Sequence, residues 1–118
     1  MRNSMETLRR RFVALGDETR LRALLLILSA GELCLCHLEQ LLELPASTAS
    51  RHLGLLREAG LVSARRTGRW VHFGPGTGEA RAWLDWLVQL PELAAERERA
   101  VQTLAQWRND TGGTACPI

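Results

Sequence analysis

Hydrophobic residues recur at helical spacing along most of the chain. The first stripe follows Ser4, which can cap a helix, and consists of Met5, Leu8, Phe12 and Leu15. Gly16 and Asp17 interrupt this stripe, and Asp17 can cap a second helix. The apolar positions of that second helix are Leu21, Leu24, Leu25 and Leu28, and Ala30-Gly31 ends it. Two amphipathic helices are therefore predicted in the first thirty residues.

A short third helix is predicted from residue 33 or 34 to about residue 43. Its core-facing positions are Leu35, Leu38, Leu41 and Leu42. Leu44-Pro45 ends this helix, because the residue before a proline is pushed away from helical dihedral angles. Proline is tolerated in a first helical turn, so a fourth helix is expected over about residues 46–59. Two helices joined by so short a turn form the helix-turn-helix outline.

The fourth helix has the composition of a helix that enters the major groove of DNA. Its predicted inward positions are Ala49, Leu53 and Leu56. Small and polar residues occupy its N-terminal turns on the other faces, where bulky side chains would block entry to the groove. Gly60 is a suitable helix stop.

Two segments after this helix are rich in β-branched, aromatic and apolar residues and are predicted to form a β-hairpin. They cover residues 61–66 and 69–73, with Thr67-Gly68 as a two-residue turn. Arg65, Arg66 and Arg69 lie near its tip, where they suit contacts to the DNA backbone or minor groove. We interpret the hairpin as a wing beside the recognition helix.

Helical spacing resumes after the glycine-rich residues 74–78. Its apolar positions are Trp83, Trp86, Leu87, Leu90, Leu93, Ala94, Val101, Leu104 and Trp107, and Pro91 is expected to kink or divide the helix. Because a small domain cannot bury so large an apolar face alone, dimerisation through the terminal helices is predicted.

The predicted fold class is mainly α with a small β-hairpin (α+β), arranged as a winged helix-turn-helix. A single domain is expected over residues 1–108, with the DNA-reading part at about 32–73. The dimerisation helices are expected at about 4–15 and 79–108. A flexible tail is expected over 109–118.

Charge is distributed unevenly along the chain. The net charge of +2 is too small to indicate nucleic-acid binding, but five arginines and one acid lie between positions 51 and 73. Arg9, Arg10 and Arg11 are expected on a solvated face, with contact to a DNA backbone as the alternative. No apolar run approaches the roughly 20 residues that span a bilayer, so a cytoplasmic protein is predicted.

Three cysteines carry the most distinctive chemistry. Cys34 and Cys36 are one residue apart, and Cys116 lies near the end of the chain. Thiolate pairs are ligands that soft metals and trivalent arsenic prefer. Residues i and i+2 of a regular helix point roughly 200° apart. Joint binding by Cys34 and Cys36 is therefore expected to require an unwound first turn of the third helix.

Residues 32–38, Glu-Leu-Cys-Leu-Cys-His-Leu, resemble the metal-box ELCVCDL of arsenical-resistance repressors in the ArsR/SmtB family. Residues 15–21, 50–62 and 68–73 also resemble family motifs in family order, so the resemblance covers about residues 8–75. It implies a homodimeric winged helix-turn-helix repressor that binds operator DNA when free and releases it when a metal or metalloid binds.

The resemblance also implies roles for individual residues. Cys34 and Cys36 match two arsenic-thiolate positions, with arsenite or antimonite as the inducer. The recognition-helix positions fall on Ser47, Thr48, Ser50, Arg51 and His52, of which His52 is expected either to pack or to contact a phosphate.

One departure from the family pattern concerns the third thiolate. The family's third cysteine falls at Glu39, and a carboxylate is a poor replacement for a soft ligand. Cys116, a small-molecule thiol or water could complete the site. Alternatively, the inducer is an organoarsenical that needs only two thiolates.

Other functions agree less well with the sequence. The family's zinc-type sensor site on the last helix is not expected, because Asp85 is present but no histidine follows His72. Another soft-metal response, to cadmium or lead, is a further alternative, although the resemblance implies that such a sensor in this family would also recruit N-terminal cysteines, and this N-terminus has none. A redox-sensing repressor is a closer alternative, because neighbouring thiols oxidise reversibly. A thiol enzyme pairing Cys34 or Cys36 with His37 is not expected, since Cys36 and His37 are adjacent residues that do not face each other on a helix and the sequence shows no convincing oxyanion or phosphate cradle.

Overall fold

The computed structural model describes residues 4–112 as six α-helices, three strands and one 3-10 turn. In chain order the elements are α1 (Ser4–Leu15), α2 (Glu18–Ala30), β1 (Leu33–Cys34), α3 (Leu35–Leu42), α4 (Ala46–Glu58), β2 (Val62–Thr67), β3 (Trp70–Pro75), α5 (Ala80–Val88), the 3-10 turn (Pro91–Leu93) and α6 (Ala94–Thr111). The strands form one antiparallel sheet in the order β1-β3-β2. Helices α3 and α4 with the β2-β3 hairpin form the predicted winged helix-turn-helix, and the predicted fold class is confirmed.

Helix α2 lies at the centre of the core. Its residues 23–27 are all buried, which is typical of a helix packed on several sides. It packs against α6, α4 and β3. The predicted inward residues of α4, Ala49, Leu53 and Leu56, are fully buried beside it. The recognition helix is thus held by apolar contact on one face.

Both predicted ends of α2 are confirmed. The Asp17 side chain accepts a hydrogen bond from the backbone N–H of Arg20 at 3.0 Å. This bond is the main reason why the pKa of Asp17 is lowered. Gly31 ends the helix with φ +89°, and its N–H donates to the Ile27 carbonyl at 2.8 Å.

Strand β1 was not predicted, and it changes the start of α3. Leu33 pairs with Phe73 and Cys34 pairs with His72 on β3. This pairing gives Cys34 an extended backbone (φ −71°, ψ 151°), so Cys34 is the N-cap of α3 and lies outside the helix. The prediction that a regular helix includes Cys34 is wrong, and the unwinding that it was expected to require is unnecessary.

The hairpin turn lies one residue later than predicted. Thr67 pairs with Trp70, so Gly68 and Arg69 are the two turn residues. Gly68 has φ +61°, whereas Arg69 is not among the residues with positive φ. A glycine at the first central position is the requirement of a type II′ turn, which explains the shift.

The apolar stripe of α1 faces outward. Met5 is 77% exposed and Phe12 is 58% exposed, while the buried residues of α1 are Arg11 and Ala14. Arg9 and Arg10 lie on the surface and pair with Glu6 at 2.8 Å, as expected for a solvated face.

The expectation that Arg11 lies on this solvated face is wrong, because its side chain is 4% exposed. Its Nε donates to the Ala59 carbonyl at 3.0 Å, and its guanidinium also pairs with Glu79. The guanidinium lies 5.4 Å from the ring centroid of Trp83. Arg11 therefore joins α1 to the end of α4 and the start of α5.

The C-terminal region is divided at Pro91. Helix α5 ends at Val88, the 3-10 turn begins at Pro91, and α6 continues to Thr111, beyond the expected start of the tail at residue 109. Cys116 lies outside the described residues. Among the described residues, no helix is long and apolar enough to cross a membrane.

The wing is packed closely against the turn that follows α4, and this contact generates a stability prediction. A Cβ atom added at Gly76 would lie 2.1 Å from the Gly60 carbonyl oxygen, whereas one added at Gly54 meets nothing within 4 Å. Gly76→Ala should lower the free energy of unfolding by about 1–3 kcal/mol, because backbone must move.

Gly54→Ala is the matched control. It should raise the free energy of unfolding by about 0.5–1 kcal/mol, because alanine is the better helix former. Urea unfolding at one protein concentration measures both. Equal stability of Gly76→Ala and the wild type would contradict the close packing.

Candidate functional site

Cys34 and Cys36 lie on either side of the boundary between β1 and α3. Their sulfur atoms are 3.2 Å apart. This separation is longer than the roughly 2.05 Å of a disulfide bond, so the two atoms are in contact without being bonded to each other. Cys34 is 2% exposed and Cys36 is half-buried. The sequence-predicted pair is thus brought together by a backbone that is extended at its first member and helical at its second.

The separation of the sulfur atoms suits two ligands of one ion. Thiolates bound at about 2.3 Å, the Zn–S value, lie about 3.3–3.8 Å apart for bond angles of 90–110°. The observed 3.2 Å is close to the lower end of this range. Within residues 4–112, no group of three or more His, Cys, Asp or Glu side chains is arranged to hold a metal ion.

His37 connects the cysteine pair to the cap of α3. The backbone N–H of Cys34 donates to Nδ1 of His37 at 3.4 Å, and the backbone N–H of His37 points to the Cys34 sulfur. This reciprocal arrangement is a capping box, in which each residue satisfies an otherwise unpaired amide of the other. The Cys34 sulfur therefore takes part in the local structure of α3.

Helix α6 covers the other side of His37. The rings of His37 and Trp107 meet edge to face, with centroids 4.9 Å apart. Nε1 of Trp107 also donates to Oε1 of Gln40 at 3.1 Å. The first and second turns of α3 are thus held by a residue of the last helix, and sequence periodicity alone did not reveal this contact.

The exposed face of α4 carries most of the residues of this helix that were predicted to contact DNA. Ser47, Ser50 and Arg51 are exposed, and Thr48 is half-buried. Ser47, Ser50 and Arg51 stand at positions i, i+3 and i+4, which share one face of a helix. The structure brings these side chains to one surface at the N-terminal end of α4.

His52 lies on the opposite, inward face and is only 9% exposed. Nη1 of Arg20 lies 3.1 Å from Nδ1 of His52, and Nε of Arg20 donates to the Ala14 carbonyl at 2.8 Å. The expected role of His52 in contacting DNA is therefore corrected to a structural one: it links α4 through Arg20 to the end of α1.

The three arginines predicted on the wing have different surroundings. Arg66 and Arg69 are exposed, and the guanidinium of Arg69 lies 5.3 Å from the ring centroid of Trp70. Arg65 instead donates to Glu32, with Nη2–Oε1 and Nε–Oε2 distances of 2.7 and 3.3 Å. This pairing is the main reason why the pKa of Glu32 is lowered. The sequence did not predict Glu32 as the partner of Arg65, because 33 positions separate the two residues.

An apolar surface lies on α1 and α5. It consists of the exposed or half-buried side chains of Met5, Leu8, Phe12, Trp83 and Trp86. Edge-to-face contacts join Phe12 to Trp83 and Trp83 to Trp86, with centroids 5.8 and 5.7 Å apart. Contiguous aromatic surfaces of this kind are typical of protein–protein interfaces.

Comparison with known proteins identifies the family. Residues 17–64 match the family described as "Bacterial regulatory protein, arsR family". The arsenic resistance transcriptional regulator ArsR2 of Pseudomonas putida is 38% identical over 99 residues, which are 84% of this chain and 77% of that protein. The chain belongs to the ArsR family of bacterial regulatory proteins.

Two further members of the family are similar to this chain. The arsenical resistance operon repressor of Escherichia coli K12 is 50% identical over 62 residues, which are 52% of this chain and 53% of that protein. The match thus spans about half the length of that repressor. A homodimeric winged helix-turn-helix DNA-binding domain from Mycobacterium bovis, a possible ArsR-family regulator, has a TM-score of 0.59 at 32% identity, covering 72% of this chain and 77% of that chain.

These ArsR-family relatives are transcriptional regulators and DNA-binding proteins rather than enzymes. The prediction that the chain is not an enzyme is therefore confirmed by its family.

Proposed function

We propose that this ArsR-family chain is a transcriptional repressor that binds operator DNA as a homodimer and releases it when trivalent arsenic or antimony binds Cys34 and Cys36. The observation that carries the proposal is the 3.2 Å separation of the two sulfur atoms at the start of the helix-turn-helix. The names of the relatives, which concern arsenic resistance, favour a metalloid inducer.

The binding chemistry is an exchange of oxygen for sulfur. Arsenite is As(OH)3 at neutral pH, and each thiol that attacks forms one As–S bond while its proton leaves with a hydroxyl group as water. Two thiols thus give a dithiolate that retains one hydroxyl. Arsenic keeps its oxidation state, so no electron donor or acceptor is needed. A soft sulfur pair favours arsenic or antimony over hard cations.

Release follows from the double role of Cys34. An As–S bond at Cys34 competes with the contact between its sulfur and the His37 N–H, which helps to cap α3. The same residue pairs with His72 in the sheet of the wing. A shift at Cys34 would therefore act on α3, which supports α4, and on the wing. Both DNA-contacting elements would change orientation together.

The proposed DNA surface consists of the α4 face and the tip of the wing. Ser47, Thr48, Ser50 and Arg51 would enter the major groove, with Arg51 as the long side chain able to reach a guanine edge. Arg66 and Arg69 would contact the backbone beside it. A second copy would dock on the exposed apolar surface of α1 and α5, as the homodimeric state of the Mycobacterium bovis domain supports.

Cys116 is the proposed third ligand. Trp107 contacts the histidine next to Cys36, and α6 ends at Thr111, only four residues later. Cys116 lies five positions after Thr111, and an extended chain of that length reaches about 17 Å. This reach supports a third As–S bond within the same protomer.

A redox-sensing repressor is the second candidate, favoured by the same sulfur contact. Oxidation by peroxide would remove two electrons from two thiols, form one S–S bond and give two waters. The two candidates are separated by titrating the operator complex with arsenite in the presence of a non-thiol reductant, and with hydrogen peroxide in its absence.

The first prediction for this function concerns the cysteine pair. Cys34→Ser together with Cys36→Ser should abolish release by arsenite, since no soft ligand remains. Operator affinity should change by less than about 0.5 kcal/mol, because serine is a good N-cap residue. Fluorescence anisotropy of labelled operator measures both quantities. Continued release from the doubly substituted protein would refute the site.

A separate prediction concerns the third ligand. Cys116→Ser should weaken arsenite binding at least about tenfold, because one As–S bond is lost. Phenylarsine oxide, which offers only two exchangeable positions, should bind the variant and the wild type equally. Titration followed by the ultraviolet absorption of the As–S bonds measures both affinities. Unchanged arsenite affinity would remove Cys116 from the site.

The last prediction in this group concerns base reading. Arg51→Ala should weaken binding to the specific operator by about 1–3 kcal/mol, with a smaller loss on unrelated DNA. Arg57→Ala, on the last turn of the same helix, is the matched control and should have the weaker effect. Equal losses on specific and unrelated DNA would assign Arg51 to a phosphate instead.

A further inference from the structure

The ion pair between Glu32 and Arg65 joins the cysteine segment directly to the wing. Glu32 stands two residues before Cys34, in the connection between α2 and β1. Arg65 lies on β2, where it pairs with His72 of β3, and His72 in turn pairs with Cys34 of β1. Directly paired residues share one face of a sheet, so Cys34, His72 and Arg65 form one row. The side-chain contact between Glu32 and Arg65 then joins the residue just before β1 to β2, at the other edge of the sheet.

The geometry of this contact is specific. Two separate nitrogen atoms of Arg65 donate to the two carboxylate oxygens of Glu32, which is the bidentate arrangement that fixes both side chains in orientation. Nη1 of Arg65 also donates to the Thr67 hydroxyl at 2.9 Å. Arg65 is thus engaged on three of its nitrogen atoms within the protein. Arg66, the next residue of β2, points to the opposite face of the strand by the alternation of side chains.

The pairing of Arg65 with Glu32 affects which arginines of the wing are suited to contact DNA. The paired charges of Glu32 and Arg65 cancel, so together they attract phosphates weakly. If Arg65 turned toward DNA, it would leave the Glu32 carboxylate unneutralised beside the negatively charged duplex. Arg66 and Arg69 have no such acidic partner among the described ion pairs. They can therefore contact phosphates without leaving a carboxylate unneutralised.

We propose that Glu32 is a positioning residue that, through Arg65, transmits inducer binding at Cys34 to the wing. Arg65 thereby acts as an intramolecular tether rather than as a contact to DNA. The inference rests on the proposed arsenic response. When a ligand shifts Cys34, the β1 backbone shifts with it, and the bidentate pair carries β2 in the same direction. Within the sheet, β2 otherwise pairs with β3, which in turn pairs with β1.

The decisive quantity is the release ratio, defined as the operator Kd with saturating arsenite divided by the operator Kd without it. Glu32→Gln removes the charge and keeps the shape. It should lower the release ratio about two- to fivefold, the range that a half-exposed ion pair can supply. Arsenite affinity without DNA should stay close to the wild type, and operator affinity without arsenite should rise slightly because the charge of Arg65 is no longer neutralised; the release ratio is unaffected by a change that is equal with and without arsenite.

Arg65→Gln and the double variant complete a mutant cycle. The double variant should show the same release ratio as Glu32→Gln alone, because both changes break one contact. Arg66→Gln is the matched control on the opposite face of β2. It should lower operator affinity and the salt dependence of binding while leaving the release ratio unchanged.

Three outcomes would overturn the assignment. The first is a wild-type release ratio for Glu32→Gln. The second is full additivity of the two single changes. The third is a drop of about one in the salt slope of Arg65→Gln, which would make Arg65 a phosphate contact. Failure of the proposed function itself is recognised separately, because wild-type protein would then show a release ratio of one.

Discussion

Cys34 belongs to two elements at once, and the arrangement of the DNA-binding half of the molecule depends on this. As the last residue of β1 it pairs with His72 in the sheet of the wing, and as the N-cap of α3 it begins the helix-turn-helix. The extended backbone that the strand requires is also the backbone that an N-cap requires, so the two demands agree. Because of this agreement, a ligand bound to the Cys34 sulfur would act both on the start of the helix-turn-helix and on the sheet of the wing.

The remainder of the fold fixes the orientation of α4 from its other end. Arg11 of α1 donates to the Ala59 carbonyl at the end of α4 and pairs with Glu79 at the start of α5. Its burial is tolerated because its donors have partners and its planar group lies over Trp83. The helices that carry the exposed apolar surface are therefore linked to the recognition helix. In a dimer formed through this surface, the spacing of two recognition helices would be set by these contacts.

Sequence patterns predicted the structure correctly where a feature depends on one element alone. The inward residues of α4 and the caps of α2 were predicted correctly, because helical spacing and capping chemistry are local. The apolar stripe of α1 was identified correctly, but its spacing alone did not show whether it faces the core or the surface, because both produce the same pattern. The burial of Arg11 had no local signal at all.

The misplacement of Cys34 in a helix has a similar cause. A two-residue strand is too short to show alternation, and it exists only because β3 lies beside it. The cysteines were recognised from residue type and spacing, but their joint geometry depends on that distant pairing. The same holds for the bond between Glu32 and Arg65 and for the contact of Trp107 with His37. Residue identity therefore indicated the chemistry of the site, and tertiary contacts determined which atoms meet.

The size of the proposed response is limited by the difference between the inducer's affinity for the free protein and its affinity for the operator complex. An inducer that weakens operator binding a hundredfold must itself bind the free protein about a hundredfold more tightly than the operator complex, which corresponds to about 2.7 kcal/mol. A half-exposed ion pair supplies about 1 kcal/mol at most. The tether can therefore carry only part of the coupling. In the proposed mechanism the larger share comes from the capping contact between Cys34 and His37, because Cys34 is 2% exposed and its sulfur would exchange this contact for a bond to arsenic.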